Sequence, residues 1–259
     1  CIACLIPVLV GFILPVSGLV YLGLKSDGLN SFPLLPGAIL DTLWLSLIAG
    51  AVTVIVALLL SIAVRRRSHR RHEAGTIGLK LATLGYAVPG MVLAVGMLVP
   101  FGALDRWLIN TADERFGLSV GLIFSGTMLT LVYAYAARFL AVAVKGIEPG
   151  IGRMADNVGD AARSLGARSW QRLLFVYIPV LRPSLLTALV FVFVEVVKEL
   201  PATLVLRPFH VETLALLAYR YAADERLVAA ALPSLMIGLI GLIPVFILGY
   251  TMFHRPRGA

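Results

Sequence analysis

Six apolar runs recur along the chain, at roughly 2–24, 39–64, 79–100, 118–144, 184–206 and 229–253. At ~1.5 Å per residue, a helix of about 20 residues crosses the ~30 Å hydrocarbon layer of a bilayer. Backbone in hydrocarbon must satisfy its own polar groups, and long, continuously apolar runs do so as helices. Composition agrees, with 59% hydrophobic and only 14% charged residues, against roughly 25% charged in soluble domains. The expectation is an all-α integral membrane protein, one six-span domain over residues 1–259, in contact with lipid.

Charge gives the orientation. The formal net charge is +8, and its positive residues collect in alternate connections. Arg65, Arg66, Arg67, Arg70 and Arg71 follow the second run. Lys145, Arg153, Arg163, Arg168, Arg172 and Arg182 follow the fourth, and Arg255 and Arg257 stand in the tail. The other connections hold Asp27, Asp105, Asp113, Glu114, Asp224 and Glu225. The positive-inside rule places the basic connections, and with them both termini, in the cytoplasm. Basic residues confined to such loops, without interleaved aromatics, do not make a nucleic-acid surface.

Other chemistries find little support. Cys1 and Cys4 are too few for a disulfide framework and have no His or acidic neighbours to complete a metal site. His69 and His72 lie among arginines that repel a cation, which reads as a solvated face; His210 and His254 are isolated. No GxxxxGK[ST] phosphate loop occurs, since Gly75 to Lys80 lacks the glycine before the lysine, so no nucleotide or other cofactor is expected of this chain. The chain begins without Met, almost inside an apolar run and with no basic segment ahead of it. That is the pattern expected of a piece of a longer polypeptide.

Three stretches carry finer signals. In the polar segment at about 145–183, Asn157 stands as an N-cap with Asp160 three positions on, so a short helix is expected there. On it Ala161 and Leu165, and Ala162 and Gly166, share faces of mostly small side chains open to close approach. Apolar helical spacing returns from Trp170 to Tyr177, and Pro179 and Pro183 are expected to break or kink the chain. In the third run, Gly85, Pro89, Gly90 and Gly96 predict a kinked or unwound helix. Such breaks suit a protein-enclosed path, and small residues suit tight helix packing equally well.

The fifth run places Glu195, Lys198 and Glu199 in an apolar setting, where each charge costs about 2.5 to 3.5 kcal/mol at mid-membrane. Their i,i+3 and i,i+4 spacing puts all three on one helical face, where the lysine can pair with a glutamate. Pro201 should loosen the helix a turn further on. The trio fits either a polar lining of a permeation path or an internal ion pair that pins the helix.

The segment Asn157 to Pro183, NVGDAARSLGARSWQRLLFVYIPVLRP, resembles the EAA loop of ABC importer permeases: Glu-Ala-Ala, three residues, Gly, nine residues, then Ile-x-Leu-Pro. Asp160, Ala161, Ala162 and Gly166 match its first part, and Val176, Ile178 and Pro179 its second, with Asp for Glu, Val for Ile and Ile for Leu. The resemblance implies a coupling helix held in a cleft of a cytoplasmic ABC ATPase dimer. KELPATLVLRPF (198–209), ETLALLAYRYAADERL and ARFLAVAVKGIEPG are similar to the C-terminal half of ferric-iron ABC permeases.

That likeness implies a second permease half, fused or separate, an extracytoplasmic substrate-binding protein, and the inner membrane of a bacterium. It implies import of ferric iron by alternating access; the residue pattern itself makes Glu195, Lys198, Glu199, Pro201, Pro89 and Gly90 the candidate path. Permeases for thiamine, phosphonate, sulfate or polyamine share the loop, and an ion-gradient-driven transporter is the alternative outside the class.

Overall fold

Small residues set how closely the central helices approach. The structure, a computed structural model, describes residues 2–25, 33–68, 78–79, 83–119, 121–155 and 157–253. The first span, α1, runs from Ile2–Val8 through a π-helical turn, Leu9–Ile13, into Leu14–Leu24. There follow α2 (Leu35–Ser68), a 3-10 turn at Leu84–Tyr86, α3 (Gly90–Phe116), α4 (Met128–Arg153) and the short α5 (Val158–Ser164). The fifth span, α6, runs from Ser169–Arg172 through a π-helical turn, Leu173–Tyr177, into Ile178–Val197. The chain continues as α7 (Pro201–Leu206), α8 (Leu214–Ala223) and α9 (Leu227–Phe253). Six of these helices are long and apolar enough to cross a membrane, and the described residues contain no strand.

The core is a three-helix unit of α2, α4 and α6. Leu45, Ala49 and Ala57 pack with Leu131, Tyr135, Phe139 and Ile147, and with Leu181, Ala188 and Val192. Gly146 lies flush on Ala188 and Gly150 on Ser184, with no room for a Cβ at either glycine. Between membrane helices this close backbone approach supplies van der Waals contact that apolar burial cannot, because lipid is as apolar as leucine. These contacts run α4 and α6 antiparallel. The ends of α2 and α4 lie together, since Arg65 of α2 donates to the carbonyls of Ile151 and Met154. By contrast α1, α3 and α9 bury little of their surface, and their large apolar side chains face outward. At the other end of the bundle, α8 packs Leu214 and Leu217 on Leu35, Ala38 and Ala229.

Several boundaries differ from the hydropathy limits. The third helix begins at Gly90 instead of about 79, because Pro89 has no N–H and sits extended at φ −56°, ψ 134°. The proline-glycine pair therefore starts the helix and does not kink it internally. The helix then runs on to Phe116 through residues expected to be loop, and Gly117 ends it at φ 59°. Asp105 thus falls within the helix and is buried. Its carboxylate accepts N–H groups from Ile123, Phe124 and Ser125 at 3.0, 2.9 and 2.7 Å. That holds 123–125 as a loop and delays α4 to Met128.

The prolines of the fifth span are absorbed as well. α6 continues through Pro179 and Pro183, where a break or kink was expected. A π turn immediately precedes Pro179, as another precedes Pro15 in α1. Its wider i→i+5 bond, seen from Ile178 N–H to Leu173 O, relieves the clash a proline ring makes with the turn before it. The arginine-rich residues 69–77, the tail from His254, Asp27, and the side chains of Cys1 and Cys4 lie outside the described residues.

Candidate functional site

The short helix α5 forms where it was expected, with a different start and an earlier end, so that Leu165 and Gly166, expected on its faces, lie past it. Asn157 has a helical backbone, φ −84°, ψ −6°, and its side chain makes no capping bond. Only its carbonyl takes part, accepting from the N–H groups of Asp160 and Ala161 at 3.1 and 2.8 Å. The other end is closed by Gly166 at φ +82°. Gly166 N–H donates to Arg163 O at 2.9 Å and Ala167 N–H to Ala162 O at 3.1 Å, the paired bonds of a Schellman cap. That left-handed position favours glycine because a Cβ strains it.

One side of α5 is held and the other is open. Tyr177, buried in the π turn of α6, sets its hydroxyl against Gly159 where no Cβ would fit. Arg172 Nη1 reaches the carbonyl of Gly159 at 3.4 Å. Below them Val176 and Ile178 are half-buried and Pro179 is exposed. The outward face carries Asp160, Ala161, Arg163, Ser164 and Leu165, the last 88% exposed, with Ala162 half-buried beside them. Asp160, Ala161 and Gly166 are therefore exposed and Ala162 half-buried, with Gly166 past the helix end, and Val176, Ile178 and Pro179 stand in the start of the fifth span.

The interior charges divide into two groups. Lys198 Nζ donates to Glu195 Oε1 at 2.9 Å, as the spacing predicts. Glu199 is not on their face. The helix ends at Val197, and Lys198 turns the chain at φ −95°, ψ 0°, which carries Glu199 round to α4. There its Oε1 stands 3.5 Å from Arg138 Nη1 and accepts the N–H of Ala202 at 3.2 Å. Pro201 is the first residue of the new helix, a position where its missing N–H costs nothing.

Around this pair the backbone is fastened. Thr203 Oγ1 donates to the carbonyl of Glu199 at 2.6 Å, and Tyr135 and Thr203 share a hydroxyl hydrogen bond at 2.6 Å. From the third span, Gly90 approaches so closely that a Cβ would overlap Arg138 Nη1 and crowd Glu199 Oε1. The structure therefore gathers Pro89, Gly90, Glu199 and Pro201 at one point, where α3 and α7 both begin. It sets Glu195 and Lys198 apart. Glu195 lines a cavity of about 420 Å³ with Tyr86, Lys145, Phe191 and Val245.

Arg138 is the member that reading the sequence missed. Its Nε and Nη1 are buried without a hydrogen-bond partner, so the Glu199 carboxylate and the Phe139 ring, 5.7 Å away, are its near electrostatic company. A lone arginine inside the fourth apolar run, opposite in sign to the acids of the fifth, was the available signal. Among the described residues no cluster of three or more His, Cys, Asp or Glu could hold a metal ion.

A bundle of six candidate spans, charges buried where two helices begin, and a short presented helix between the fourth and fifth spans describe a multi-pass transport permease. Residues 70–252 match the model of the binding-protein-dependent transport system inner membrane component, and the chain belongs to that family. It is 27% identical over 239 residues to the Fe(3+)-transport system permease protein FbpB 2 of Haemophilus influenzae, covering 90% of this chain and 43% of that protein. A putative 2-aminoethylphosphonate transport system permease protein, PhnV of Salmonella typhimurium, is 26% identical over 178 residues, 67% of this chain and 60% of that one. The chain thus spans less than half of the ferric relative's length. In fold it is similar to a bacterial alginate ABC transporter solved with an alginate pentasaccharide-bound periplasmic protein, with TM-score 0.72 at 15% identity over 96% of this chain and 91% of that one. The inward-facing MetNI methionine ABC transporter matches with TM-score 0.56 at 15% identity, over 86% of this chain and 98% of that one.

Proposed function

We propose that this chain is the permease half of an ATP-driven importer of ferric iron in a bacterial inner membrane, with α5 as the coupling helix gripped by a cytoplasmic ABC ATPase dimer. The observation that carries the reading is the geometry of α5, a short helix closed by Gly166, fastened to α6 at Gly159 and leaving Asp160, Ala161 and Leu165 exposed. Its partners are a second permease half, fused or separate, and an extracytoplasmic binding protein that delivers the cargo. Both termini lie in the cytoplasm, on the side of α5, and the ATPase subunits supply the nucleotide chemistry.

The mechanism follows from where α5 is fastened. Closure of the ATPase dimer displaces α5, and the contacts of Gly159 with Tyr177 and Arg172 pass that displacement to the start of α6. Tight packing at Gly146–Ala188 and Gly150–Ser184 carries α4 along as one body. The less buried α3 meets this body at Gly90, so rocking between inward and outward states opens or closes the bundle there. The proposed path passes Glu195, with its partner Lys198, at the cavity and the separate point where Pro89, Gly90, Glu199 and Pro201 meet. Ferric iron is a hard cation that prefers oxygen, and Glu195 presents oxygen to the cavity. Lys198 pairs with that carboxylate at 2.9 Å, so the two charges offset each other, and Glu195 acts as pathway lining and is not assigned as a ligand.

Ferric cargo is supported by the relatives that carry that name and by the 198–209 run. The test is uptake of radiolabelled ferric iron against labelled thiamine and 2-aminoethylphosphonate, in cells with and without the cognate ATPase. Iron uptake that needs the ATPase is expected. Uptake of another solute alone would move the cargo assignment, and uptake without the ATPase would remove the importer reading and favour an ion-gradient-driven carrier.

A further inference from the structure

One span differs from the other five. α1 contains Pro7 and a π turn, α3 Pro100, α4 Pro149, α6 Pro183 and a π turn, and α9 Pro233 and Pro244. Each proline removes an internal hydrogen bond and each π turn widens the coil, so these helices have built-in places to bend. α2 is 34 residues long, and its one proline, Pro36, stands in the first turn, where no bond is lost.

Both ends of α2 are tied to segments that are candidates to move. At one end Arg65 caps the last carbonyls of α4. Its Nη1 donates to Ile151 O at 2.5 Å, and its Nη2 to Met154 O at 2.7 Å and Ala155 O at 3.0 Å. These are the residues from which the chain passes into α5. At the other end Asp41 Oδ2 accepts the N–H of Glu212 at 2.9 Å, and Thr42 Oγ1 accepts that of Leu214 at 2.8 Å. Glu212 in turn holds Arg220 at 2.8 Å and Arg207 at 3.7 Å. It thereby ties the loop between α7 and α8 into the same assembly. From Asp41 to Arg65 the helix measures about 36 Å at ~1.5 Å per residue, which is the full apolar thickness.

We infer that α2 is a rigid strut that carries displacement of the coupling helix to the 207–214 loop on the far side, with Arg65 as the positioning residue at its driven end. This rests on the reading of α5 as the ATPase-gripped element. A guanidinium suits the task because it is always charged and its fork reaches several carbonyls at once. A helix without an internal break transmits an end displacement as a whole, whereas bending at a proline would absorb it.

The test uses the complete transporter, with ATPase subunits and both permease halves, in a background with every reactive cysteine replaced, Cys1 and Cys4 included, carrying a spin label at Leu165→Cys or Phe209→Cys. Leu165 is 88% exposed beside α5 and Phe209 100% exposed in the far loop. Mg-ATP is the probe. In the otherwise unaltered transporter both labels are expected to change mobility when it is added. In R65A, and independently in D41A/T42V at the other end, the label at 165 should keep its response and the label at 209 should lose it. A response at 209 retained in both variants would overturn the strut, as would joint loss at both positions in R65A, which would make Arg65 a local prop for α5. No response at 209 in the parent would do the same. Absence of any response at 165 in the parent would instead remove the coupling reading itself.

Discussion

The short helix α5 and the interior charged point are organised oppositely. α5 is held by a few contacts from one side and leaves its polar edge in solvent. Arg138 and Glu199 meet at 3.5 Å where α3, α4 and α7 converge, with Glu199 bonded to the Ala202 N–H and its carbonyl to Thr203. A short helix with few contacts suits an element that a partner must grip and displace, while a buried ion pair suits a point that fixes where helices meet. On the proposed reading, the same chain separates the part that would receive force from the part that fixes where helices meet.

The largest expected effect breaks the interior half of this contrast. Glu199→Ala leaves Arg138 buried without its counter-charge and should cost about 3 to 5 kcal/mol, read as loss of assembled transporter and a lowered Tm. The double variant R138M/E199M removes both charges and should recover most of that stability. If E199A alone is as stable as the parent, the pair is not what holds α4 to the start of α7.

Gly159→Ala sharpens the other half. Its Cβ would collide with the Tyr177 hydroxyl, so α5 should shift on α6 and ATP-dependent uptake should fall severalfold at unchanged membrane level. Y177F, which removes the hydroxyl oxygen, should restore part of the uptake in that background. Next comes Glu195→Ala. Its partner Lys198 is half exposed, so stability should change by no more than about 1 kcal/mol, yet uptake should be lost because Glu195 lines the proposed path. The smallest effect belongs to Asn157→Ala, where neither assembly nor uptake should change, because the side chain makes no cap bond; a clear loss would show that Asn157 acts through a partner.

Sequence patterns exposed the local chemistry and missed what depends on packing. Length and hydropathy reveal six spans because lipid demands self-satisfied helices. A short helix near Asn157 was legible from local spacing, but Gly166, read as part of its face, instead closes it as a left-handed cap. Helix ends were displaced wherever a side chain reached across the fold. Asp105 gathers a loop from 18 to 20 residues away, and hydropathy has no term for that. Glu195, Lys198 and Glu199 were grouped on one face by assuming the helix runs on. The break after Val197 instead hands Glu199 to Arg138, a residue 61 positions earlier whose run was otherwise apolar.

The most direct test places a photo-crosslinker at Ala162 in the assembled transporter and identifies what it captures with and without Mg-ATP. The account predicts covalent capture of the ATPase subunit, with a yield that changes when nucleotide closes the dimer. Repeated capture of lipid or of an extracytoplasmic protein at that position, with the ATPase present, would contradict it.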